Sequence, residues 1–397
     1  MLLAVLVATS LDGAGDGGAA GADPSSPSGS ARATFTVTRA MTMNDPTRHR
    51  GTVARQLRTY IEHTPAGATI SILSFYLSSS ITWPALRAAY ERGVHVRAVL
   101  YGGPTGGPMP GVSGEGVQLA DLIRAGDDRR SWVVWTRRTA RGVDAAGTVM
   151  HAKVWQFSRV GRSADVTMIG SYNNGDPPDA RAYSAMVTLT DPELYADAQS
   201  MFLAAARDRR DGRNPQRRFS GEGWDLYYFP STPITPDNDP VMERLRSIPG
   251  DADTQMVISM YSMQGRRGAW LAQRLAQMVE RGADLTLVVG PDVSGSVVRR
   301  LRAAGATLED GCWKTGRRAA PYAYTHDKEM TATWVEDGVR QHAAWIGSDD
   351  WGNGSGGSQS DQATIGLYST WAYTRLSRLL APQIAHEPDD LARCDPL

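Results

Sequence analysis

Residues 150–155 of the chain are Met-His-Ala-Lys-Val-Trp, and residues 325–330 are Thr-His-Asp-Lys-Glu-Met. Each segment is followed by Ile-Gly-Ser, at residues 169–171 and at residues 346–348. The serine lies 20 residues after the histidine in the first copy and 22 residues after it in the second. One chain therefore contains the same pattern, His-x-Lys with a downstream Ile-Gly-Ser, twice.

The composition makes this repetition informative. The chain of 397 residues has 42 lysines and arginines, of which only three are lysines, and it has seven histidines. Two of the three lysines, Lys153 and Lys328, lie two positions after a histidine. With so few residues of either type, two such pairs are not expected by chance.

The sequence around the motifs also repeats, because each half contains a predicted strand, helix and second strand. In the first half these are residues 68–77, 83–91 and 94–100. In the second half they are residues 256–261, 269–280 and 284–289, after which Gly290-Pro291 is expected to end the strand. Strand, helix and strand in this order favour a crossover connection and a parallel sheet.

We therefore expect an α/β fold of two similar lobes related by internal duplication. Each lobe is predicted to be a mixed, mainly parallel sheet flanked by helices, with one active site at the lobe interface. The predicted boundaries are a signal-like, low-complexity leader (1–34), an N-terminal lobe (35–212), a linker (213–240) and a C-terminal lobe (241–397).

The leader and the cysteines favour export. The apolar start, the Gly/Ala/Ser/Pro-rich continuation and the small residues Ala20-Gly21-Ala22 resemble a secretory signal, so we expect a secreted protein. A low-complexity leader with no targeting role is the alternative. Cys312 and Cys394 could form a disulfide in an oxidising compartment, and two buried free thiols are the alternative.

The charge balance argues against bulk attraction of nucleic acid. The 42 basic residues equal the 42 acidic residues in number, so the formal net charge is zero. A protein that binds nucleic acid stably needs a positive field, and here only local arginine clusters could supply one. We therefore expect no stable nucleic-acid partner.

The spacing within each motif suits the chemistry of phosphodiesters. Residues i and i+2 of a strand share one face, so each histidine is expected to project beside its lysine. If the two lobes pack about a pseudo-two-fold axis, two imidazoles and two ammonium groups meet in one pocket. Ammonium groups neutralise the non-bridging oxygens of a phosphodiester, and two histidines can act on opposite sides of phosphorus. Lysine is a poor metal ligand, so no metal site is expected.

These motifs resemble those of the phospholipase D superfamily, H-x-K-x4-D followed by G-S/G-x-N, usually present twice. The resemblance extends from about residue 40 to about residue 385. It implies a metal-free and cofactor-free reaction in which His151 attacks phosphorus to form a phosphohistidine and His326 acts as general acid and base. By the same resemblance Lys153 and Lys328 hold the phosphate.

The resemblance also implies a set of hydrogen-bonding residues around the substrate, namely Ser171, Asn173, Ser348 and Asp350. The chain departs from the family pattern at the motif aspartates, which are Ser158 and Thr333 here, and at Asp350, which replaces the second asparagine. A carboxylate that faces a phosphate repels it, so the alternatives for Asp350 are that it is turned away, is protonated, or orients a histidine. Asp361 lies where many relatives have an acidic residue that supports a catalytic histidine. A surface acid in a Gly/Ser-rich loop is the alternative for Asp361.

Three functions are compatible with these observations. The first is a phospholipase D-type phosphodiesterase that hydrolyses a phospholipid head group or transfers it to an alcohol. The second is a nuclease of the same superfamily, and the third is a catalytically weak protein that binds a phosphorylated ligand. The first predicts a phospholipid or other phosphodiester substrate and peripheral membrane contact. Because one chain holds both motifs, a monomer is expected to suffice.

Overall fold

The first lobe is an α/β unit that carries the first copy of the motif. The computed structural model describes residues 34–142, 145–318, 320–353 and 357–385. The strands of the first lobe are β1 (Ala40–Asn44), β2 (Thr69–Ser74), β3 (Leu77–Ser78), β4 (His95–Tyr101), β5 (Trp132–Thr136), β6 (Val154–Val160), β7 (Ser163–Gly170), β8 (Asn174–Gly175) and β9 (Ala182–Thr190). Its helices are α1 (Thr52–His63), α2 (Trp83–Glu91), α3 (Gly114–Ala125), α4 (Asp176–Arg181) and α5 (Pro192–Ala205).

The second lobe is built in a similar way. Its strands are β10 (Arg217–Gly221), β11 (Trp224–Tyr228), β12 (Gln255–Met263), β13 (Asp284–Val293), β14 (Thr307–Asp310), β15 (Cys312–Arg317), β16 (Ala320–Thr325), β17 (Lys328–Glu336), β18 (Val339–Gly347) and β19 (Ala363–Leu367). Its helices are α6 (Pro240–Ser247), α7 (Gly265–Glu280), α8 (Gly295–Ala304) and α9 (Thr370–Ile384).

Each lobe is organised around one large mixed sheet. The first has the order β15-β16-β9-β7-β6-β2-β4-β5, with β1 paired to β9, and the second has the order β10-β11-β19-β18-β17-β12-β13-β14. In both sheets the strand that follows the motif histidine (β6 or β17) pairs with the first strand of the crossover unit (β2 or β12). This correspondence confirms the predicted mixed α/β architecture of two similar lobes.

The prediction that the sheets are mainly parallel is wrong. Among the strands that each lobe contributes to its own large sheet, parallel pairing is limited to the crossover units, β2-β4-β5 in the first and β12-β13-β14 in the second. The short strands β3 and β8 form a separate parallel pair. The strands of the motifs return through hairpins, so β6-β7 and β17-β18 are antiparallel. A hairpin needs only a short turn, whereas a parallel pair needs a crossover of a dozen residues or more.

Local sequence explains several of the boundaries. Helix α2 spans Trp83–Glu91, as predicted, with a proline in its first turn and Gly93 (φ 92°) just beyond its end. Helix α7 buries one face, which includes Leu271, Leu275 and Met278. Strand β13 continues to Val293, past the Gly290-Pro291 pair that was expected to end it. An irregular register with β12 accommodates this extension.

Two segments pair differently from the prediction. The hairpin β15–β16 belongs to the second lobe in sequence, but β16 pairs in parallel with β9 and so extends the first sheet. The segment 213–240, predicted to be a linker, contains β10 and β11, and β11 pairs with β19. Residues 217–228 therefore belong to the second sheet.

A continuous apolar core lies between the lobes. It includes Val154 and Ile169 from the first sheet and Ile346 and Ile365 from the second, together with Leu376 of α9. Separate apolar clusters lie under the outer helices of each lobe. This central core holds the two sheets against each other and fixes the position of the motifs at their shared edge.

Some expectations concern residues outside the described part of the chain. The leader up to residue 33, with Ala20-Gly21-Ala22, lies outside it, and so does Cys394. Cys312 is buried in β15, and the disulfide stays a prediction. Within the described ranges, none of the helices combines the length and the apolar character needed to cross a bilayer.

Candidate active site

Each histidine of the motif is anchored by the opposite lobe. The backbone amide of His151 donates to the carbonyl oxygen of Asp361 (2.9 Å), and the amide of His326 donates to the carbonyl oxygen of Tyr183 (2.8 Å). Both histidines lie just before a strand rather than in one, since β6 begins at Val154 and β17 begins at Lys328. The exchange of hydrogen bonds brings both motifs to the lobe interface.

The Ile-Gly-Ser segments explain the close approach of neighbouring strands. A side chain at Gly170 would collide with the carbonyl of Ala185, and one at Gly347 would collide with the carbonyl of Ala363. The serines that follow receive hydrogen bonds from the amides of these same alanines, Ala185 to Ser171 (2.9 Å) and Ala363 to Ser348 (3.0 Å). Glycine is required at both positions because the chains pass without room for a Cβ atom.

The two imidazoles meet in one cavity. Their ring centroids are 6.3 Å apart with an angle of 71° between the planes, and both side chains are buried. This separation leaves room for one phosphorus atom between the rings, since reacting atoms approach to about 3–3.5 Å. The cavity measures about 380 Å³. Besides the histidines, its wall consists of Phe75, Tyr76, Val149, Asn173, Pro178, Ala182, Tyr261, Gln264, Asp292, Tyr324 and Asp350.

The two lysines lie behind the histidines in equivalent positions. Nζ of Lys153 donates to the carbonyl oxygen of His151 (2.5 Å), and Nζ of Lys328 donates to that of His326 (2.7 Å). Each Nζ also lies over an aromatic ring, Phe75 at 5.6 Å and Tyr261 at 4.7 Å from the centroid. Burial lowers the pKa of both lysines. A bound phosphate anion would favour their charged forms.

The histidines are biased towards their neutral forms. Burial, followed by the positive charges of the two lysines, lowers the pKa of both His151 and His326 well below the ordinary value. A neutral imidazole has a free lone pair and can attack phosphorus. An anionic substrate would offset the lysine charges and so make it easier for the second imidazole to carry a proton.

The orientation of His151 is fixed by Gln362, which the sequence analysis missed. Oε1 of Gln362 lies 3.1 Å from Nδ1 of His151. Because a carbonyl oxygen accepts, Nδ1 carries the proton and Nε2 keeps its lone pair. Ser184 occupies the corresponding position in the first lobe, one residue before Ala185. Neither Oγ of Ser184 nor Nδ1 of His326 has a hydrogen-bond partner among the described residues.

Asp361 does not make the side-chain contact that was expected of it. Its Oδ2 accepts from the amide of Ala140 (2.5 Å), and its Oδ1 lies 3.5 Å from Nε of Arg141. Burial raises the pKa of Asp361 to about 6. The contact with the histidine comes instead from Gln362, since adjacent residues point to opposite sides of an extended chain.

Of the four residues expected to hydrogen-bond the substrate, two line the cavity. Asn173 has a buried Oδ1 that none of the described residues hydrogen-bonds. Asp350 lies 3.5 Å from Nζ of Lys328. Burial raises the pKa of Asp350 to about 7, although the two nearby lysines act to lower it. Ser171 and Ser348 do not line the cavity, because their hydroxyl groups face Glu329 (2.8 Å) and the carbonyl of Ala363 (3.3 Å).

The residues at the motif-aspartate positions form hydrogen bonds within the sheets. Oγ of Ser158 accepts from the amide of Thr69 (2.8 Å), and Oγ1 of Thr333 donates to the carbonyl of Gln341 (2.7 Å). Neither residue lines the cavity. At these two positions the departure from the family pattern affects contacts within the sheets, whereas the third departure, Asp350, lines the cavity.

Sequence reasoning also missed the aromatic and acidic wall of the cavity. Phe75 and Tyr261 come from the ends of the equivalent strands β2 and β12, so an alignment of the two halves could have identified them. Asp292 lies in the extension of β13 that was not predicted. Among the residues that the structure describes, no group of three or more His, Cys, Asp or Glu side chains is arranged to hold a metal ion.

Comparison with known proteins identifies the fold. No family model matches the chain, and no curated protein matches it. Polyphosphate kinase from Porphyromonas gingivalis is similar in structure (TM-score 0.55, 13% identity), and the match covers 89% of this chain but 53% of the kinase. The chain thus spans about half the length of that enzyme.

Two further solved structures are similar to the chain. Phosphatidylserine synthase from Haemophilus influenzae matches with a TM-score of 0.55 and 8% identity, over 86% of this chain and 84% of the synthase. Nuc, a phospholipase D family member from Salmonella typhimurium, matches 45% of this chain with 100% of its own (TM-score 0.32, 17% identity). The two matches with TM-scores of 0.55 cover both lobes. The chain therefore shares its fold with these two enzymes.

Proposed function

We propose that the protein is a phosphodiesterase that acts through a phosphohistidine intermediate. The observation that carries this proposal is the pair of buried imidazoles, 6.3 Å apart in one cavity, with a lysine beside each. Two imidazoles on opposite sides of phosphorus provide a nucleophile and an acid–base group, and two ammonium groups stabilise the charge that develops on the phosphate oxygens.

The proposed reaction has two displacement steps. In the first, Nε2 of His151 forms a bond to phosphorus while the bond to the leaving alcohol breaks, and His326 gives its proton to the alcohol oxygen. In the second, His326 takes a proton from water or from an acceptor alcohol, whose oxygen attacks phosphorus as the P–N bond breaks. Both histidines then return to their starting protonation states.

The charge of the cavity favours a substrate with a cationic head group. Two carboxylates, Asp292 and Asp350, line the wall, and no lysine or arginine is among the described residues that line it. The rings of Tyr76, Tyr261 and Tyr324 surround the same space, and aromatic faces attract ammonium groups. A phosphodiester of an amino alcohol matches this set, because its phosphate would lie between the imidazoles, with the lysines behind them, and its ammonium would face the acids.

The same features disfavour a nuclease. A nucleic acid strand carries a negative charge at every phosphate, and carboxylates beside the reaction site repel its flanking phosphates. The zero net charge of the chain provides no compensating attraction. We therefore favour hydrolysis or transfer of a phospholipid head group over DNA cleavage. Binding without turnover is the least favoured of the three functions, because binding alone does not require two aligned histidines.

The cellular setting remains part of the proposal. We propose a secreted protein that contacts membranes peripherally, because its substrate is a lipid, and that works as a monomer. The support for a monomer is that both lobes of one chain contribute to the cavity, with His151 from the first lobe and His326 from the second.

The test compares substrates of matched chemistry. Vesicles of phosphatidylcholine or of phosphatidylglycerol, bis-p-nitrophenyl phosphate and single-stranded DNA are each incubated with the protein, with and without EDTA. We expect EDTA-insensitive choline release that exceeds glycerol release at least about tenfold, a difference of about 1.4 kcal/mol. DNA cleavage without lipid turnover would establish the nuclease instead. Saturable binding with no turnover of any diester would establish a binding protein.

A further inference from the structure

The hairpin β15–β16 carries two exposed residues that the proposed reaction does not use. Its strands pair with Cys312 opposite Tyr324 and with Lys314 opposite Tyr322. Opposed residues of an antiparallel pair share one face of the sheet, and so do residues two apart along a strand. These four side chains therefore lie on one face of the hairpin.

One end of this face belongs to the active site. Tyr324 lines the cavity, and its ring centroid lies 6.5 Å from that of His326. Tyr322 follows on the same face, about 7 Å further along the strand, and 37% of it is exposed. Its cross-strand neighbour Lys314 is also exposed. The outer pair of the face therefore lies at the rim of the cavity.

The hairpin is held in this position from two sides. On its other face, Trp313 and Ala323 are buried in the core between the lobes. Near its tip, Nη2 of Arg317 donates to the carbonyl oxygens of Pro46 and Ala180 (3.0 Å each). The first of these bonds places the loop between β1 and α1 beside the hairpin, and the second places helix α4 there. Three segments of the chain thus meet at the rim.

Basic residues are concentrated on these three segments. We call the following five residues the basic rim: Arg48, Arg50, Arg181, Lys314 and Arg318. All five are at least partly exposed, and none forms an ion pair with a carboxylate among the residues that the structure describes. Asp45, the acidic residue of the loop, is turned inward and accepts from the amides of Thr47 and Arg48. The basic rim is therefore free to attract an anionic surface.

An anionic bilayer fits this surface better than a nucleic acid does. Both carry phosphates that attract basic side chains. Asp292 and Asp350 line the cavity behind the rim, and they would repel the consecutive phosphates of a strand. A bilayer stays outside the cavity and presents one head group at a time. Tyrosine is also a residue that prefers the interface between a membrane and water, because its ring is apolar and its hydroxyl is polar.

We propose that the basic rim and Tyr322 form the surface by which the protein docks on an anionic bilayer, with the cavity facing the lipid head groups. The basic side chains contact phosphates of the bilayer, and the ring of Tyr322 lies at the level of the head groups. One lipid then enters the cavity with its head group. This docking surface rests on the proposed function, since it presents a lipid to the same cavity.

Binding to vesicles tests the surface without turnover. The His151→Ala variant, which is expected to be inactive, is sedimented with vesicles of phosphatidylcholine, alone or mixed with phosphatidylglycerol. We expect it to bind the mixed vesicles more tightly, and to bind them less tightly as salt is added, because salt screens the attraction. No binding, or binding that is independent of phosphatidylglycerol, would overturn the proposal.

Two double variants with the same change of charge locate the surface. Lys314→Gln/Arg318→Gln should bind the mixed vesicles at least about tenfold less tightly, since each basic residue near an anionic bilayer strengthens binding about fivefold. Arg39→Gln/Arg378→Gln is the matched control. These two arginines are exposed and line a separate cavity beyond the opposite end of β1, so their loss should leave vesicle binding unchanged. Equal weakening in the two double variants would overturn the proposal.

A pair of tyrosine variants tests the aromatic contact. Tyr322→Ser should weaken binding to the mixed vesicles severalfold. Tyr368 of the second lobe is an exposed tyrosine away from the rim, with 44% of it exposed, so Tyr368→Ser is the control and should bind as the parent does. An effect of Tyr368→Ser as large as that of Tyr322→Ser would exclude a specific contact of Tyr322 with the bilayer.

Activity measurements separate the docking surface from the proposed reaction. None of the residues substituted in these rim and control variants is among the described residues that line the active-site cavity. With His151 intact, the variants should therefore keep the wild-type kcat/KM on bis-p-nitrophenyl phosphate, whereas the rim variants should release less choline from mixed vesicles. Rim-dependent binding without release of any head group would refute the reaction and support the surface. Choline release that the rim variants leave unchanged would refute the surface alone, and so would rim-dependent binding of single-stranded DNA in place of vesicles.

Discussion

Oε1 of Gln362 lies 3.1 Å from Nδ1 of His151, whereas Nδ1 of His326, near the corresponding Ser184, has no hydrogen-bond partner within the described ranges. The duplicated lobes therefore present two histidines that are equivalent in position but different in support. Gln362 holds His151 in the tautomer whose lone pair is on Nε2. This is the arrangement that a nucleophile requires, whereas an acid–base group must gain and lose its proton during the cycle.

Gln362→Ala should reduce kcat without preventing substrate binding. The substitution removes the acceptor that holds His151 in its tautomer. A positioned acid–base group contributes roughly 10²- to 10⁴-fold to the rate, and only part of this is lost when its orientation is lost, so we expect kcat to fall on the order of 10- to 100-fold. Steady-state kinetics with a soluble diester measures the change.

Ser184→Ala is the matched control for this experiment, because Ser184 is the corresponding residue of the other lobe. We expect its kcat to stay within about twofold of the wild-type value. Equal effects of the two substitutions would show that Gln362 has no special role in the orientation of His151.

The two histidine variants should differ in how they depend on the leaving group. His151→Ala should abolish turnover of every diester, because no nucleophile remains. His326→Ala should be nearly inactive on alkyl esters, but should retain much more activity on bis-p-nitrophenyl phosphate, since a nitrophenolate leaves without a proton. Circular dichroism checks that both variants fold. Equal loss on both substrates in His326→Ala would contradict its role as the acid.

Asp350→Asn should remove a pH dependence near neutrality. The pKa of Asp350 is raised to about 7, so this group becomes a carboxylate as the pH rises through 7 and then repels the phosphate. For bis-p-nitrophenyl phosphate, kcat/KM of the wild-type protein should fall over this range, and that of Asp350→Asn should not. For a choline ester the same variant should raise KM severalfold. A fall of the same size in both proteins would exclude Asp350 as the cause.

Arg267→Met should destabilise the second lobe. The guanidinium of Arg267 is completely buried and forms two hydrogen bonds each with Asp239 and Asp349 (2.7–3.0 Å). Removal of the cation leaves two buried carboxylates uncompensated, which costs about 3–5 kcal/mol of unfolding free energy. Urea denaturation measures the loss.

The Arg267 experiment also has a clear negative outcome. Arg267 donates to the carbonyl of Asp350 as well (2.9 Å), so the folded fraction of Arg267→Met should have reduced activity. Surface ion pairs typically contribute less than about 1 kcal/mol. If Arg267→Met lowered the free energy of unfolding by less than this amount, the cluster would not be a stabilising element.

The sequence predicted the features that occur in both halves of the chain or that are set by neighbouring residues. The spacing of His-x-Lys and Ile-Gly-Ser indicated two equivalent lobes because both copies must satisfy the same close approach, at Gly170 against Ala185 and at Gly347 against Ala363. Helix α2 was predicted to the residue, since a proline and a glycine mark its ends.

Features that depend on long-range pairing could not be predicted in this way. The pairing of β16 with β9 joins segments that are distant in sequence, and no local pattern specifies it. The assignment of Asp361 failed by one residue, and in an extended chain a shift of one position turns the side chain to the other face.

Isolation of the covalent intermediate tests the account most directly. The protein is mixed with phosphatidylcholine that is radiolabelled at phosphorus, quenched in alkali and digested, and the labelled peptide is sequenced. We predict that the label is acid-labile and lies on His151. Label on the peptide of His326, or no label under conditions in which turnover is rapid, would contradict the proposed mechanism.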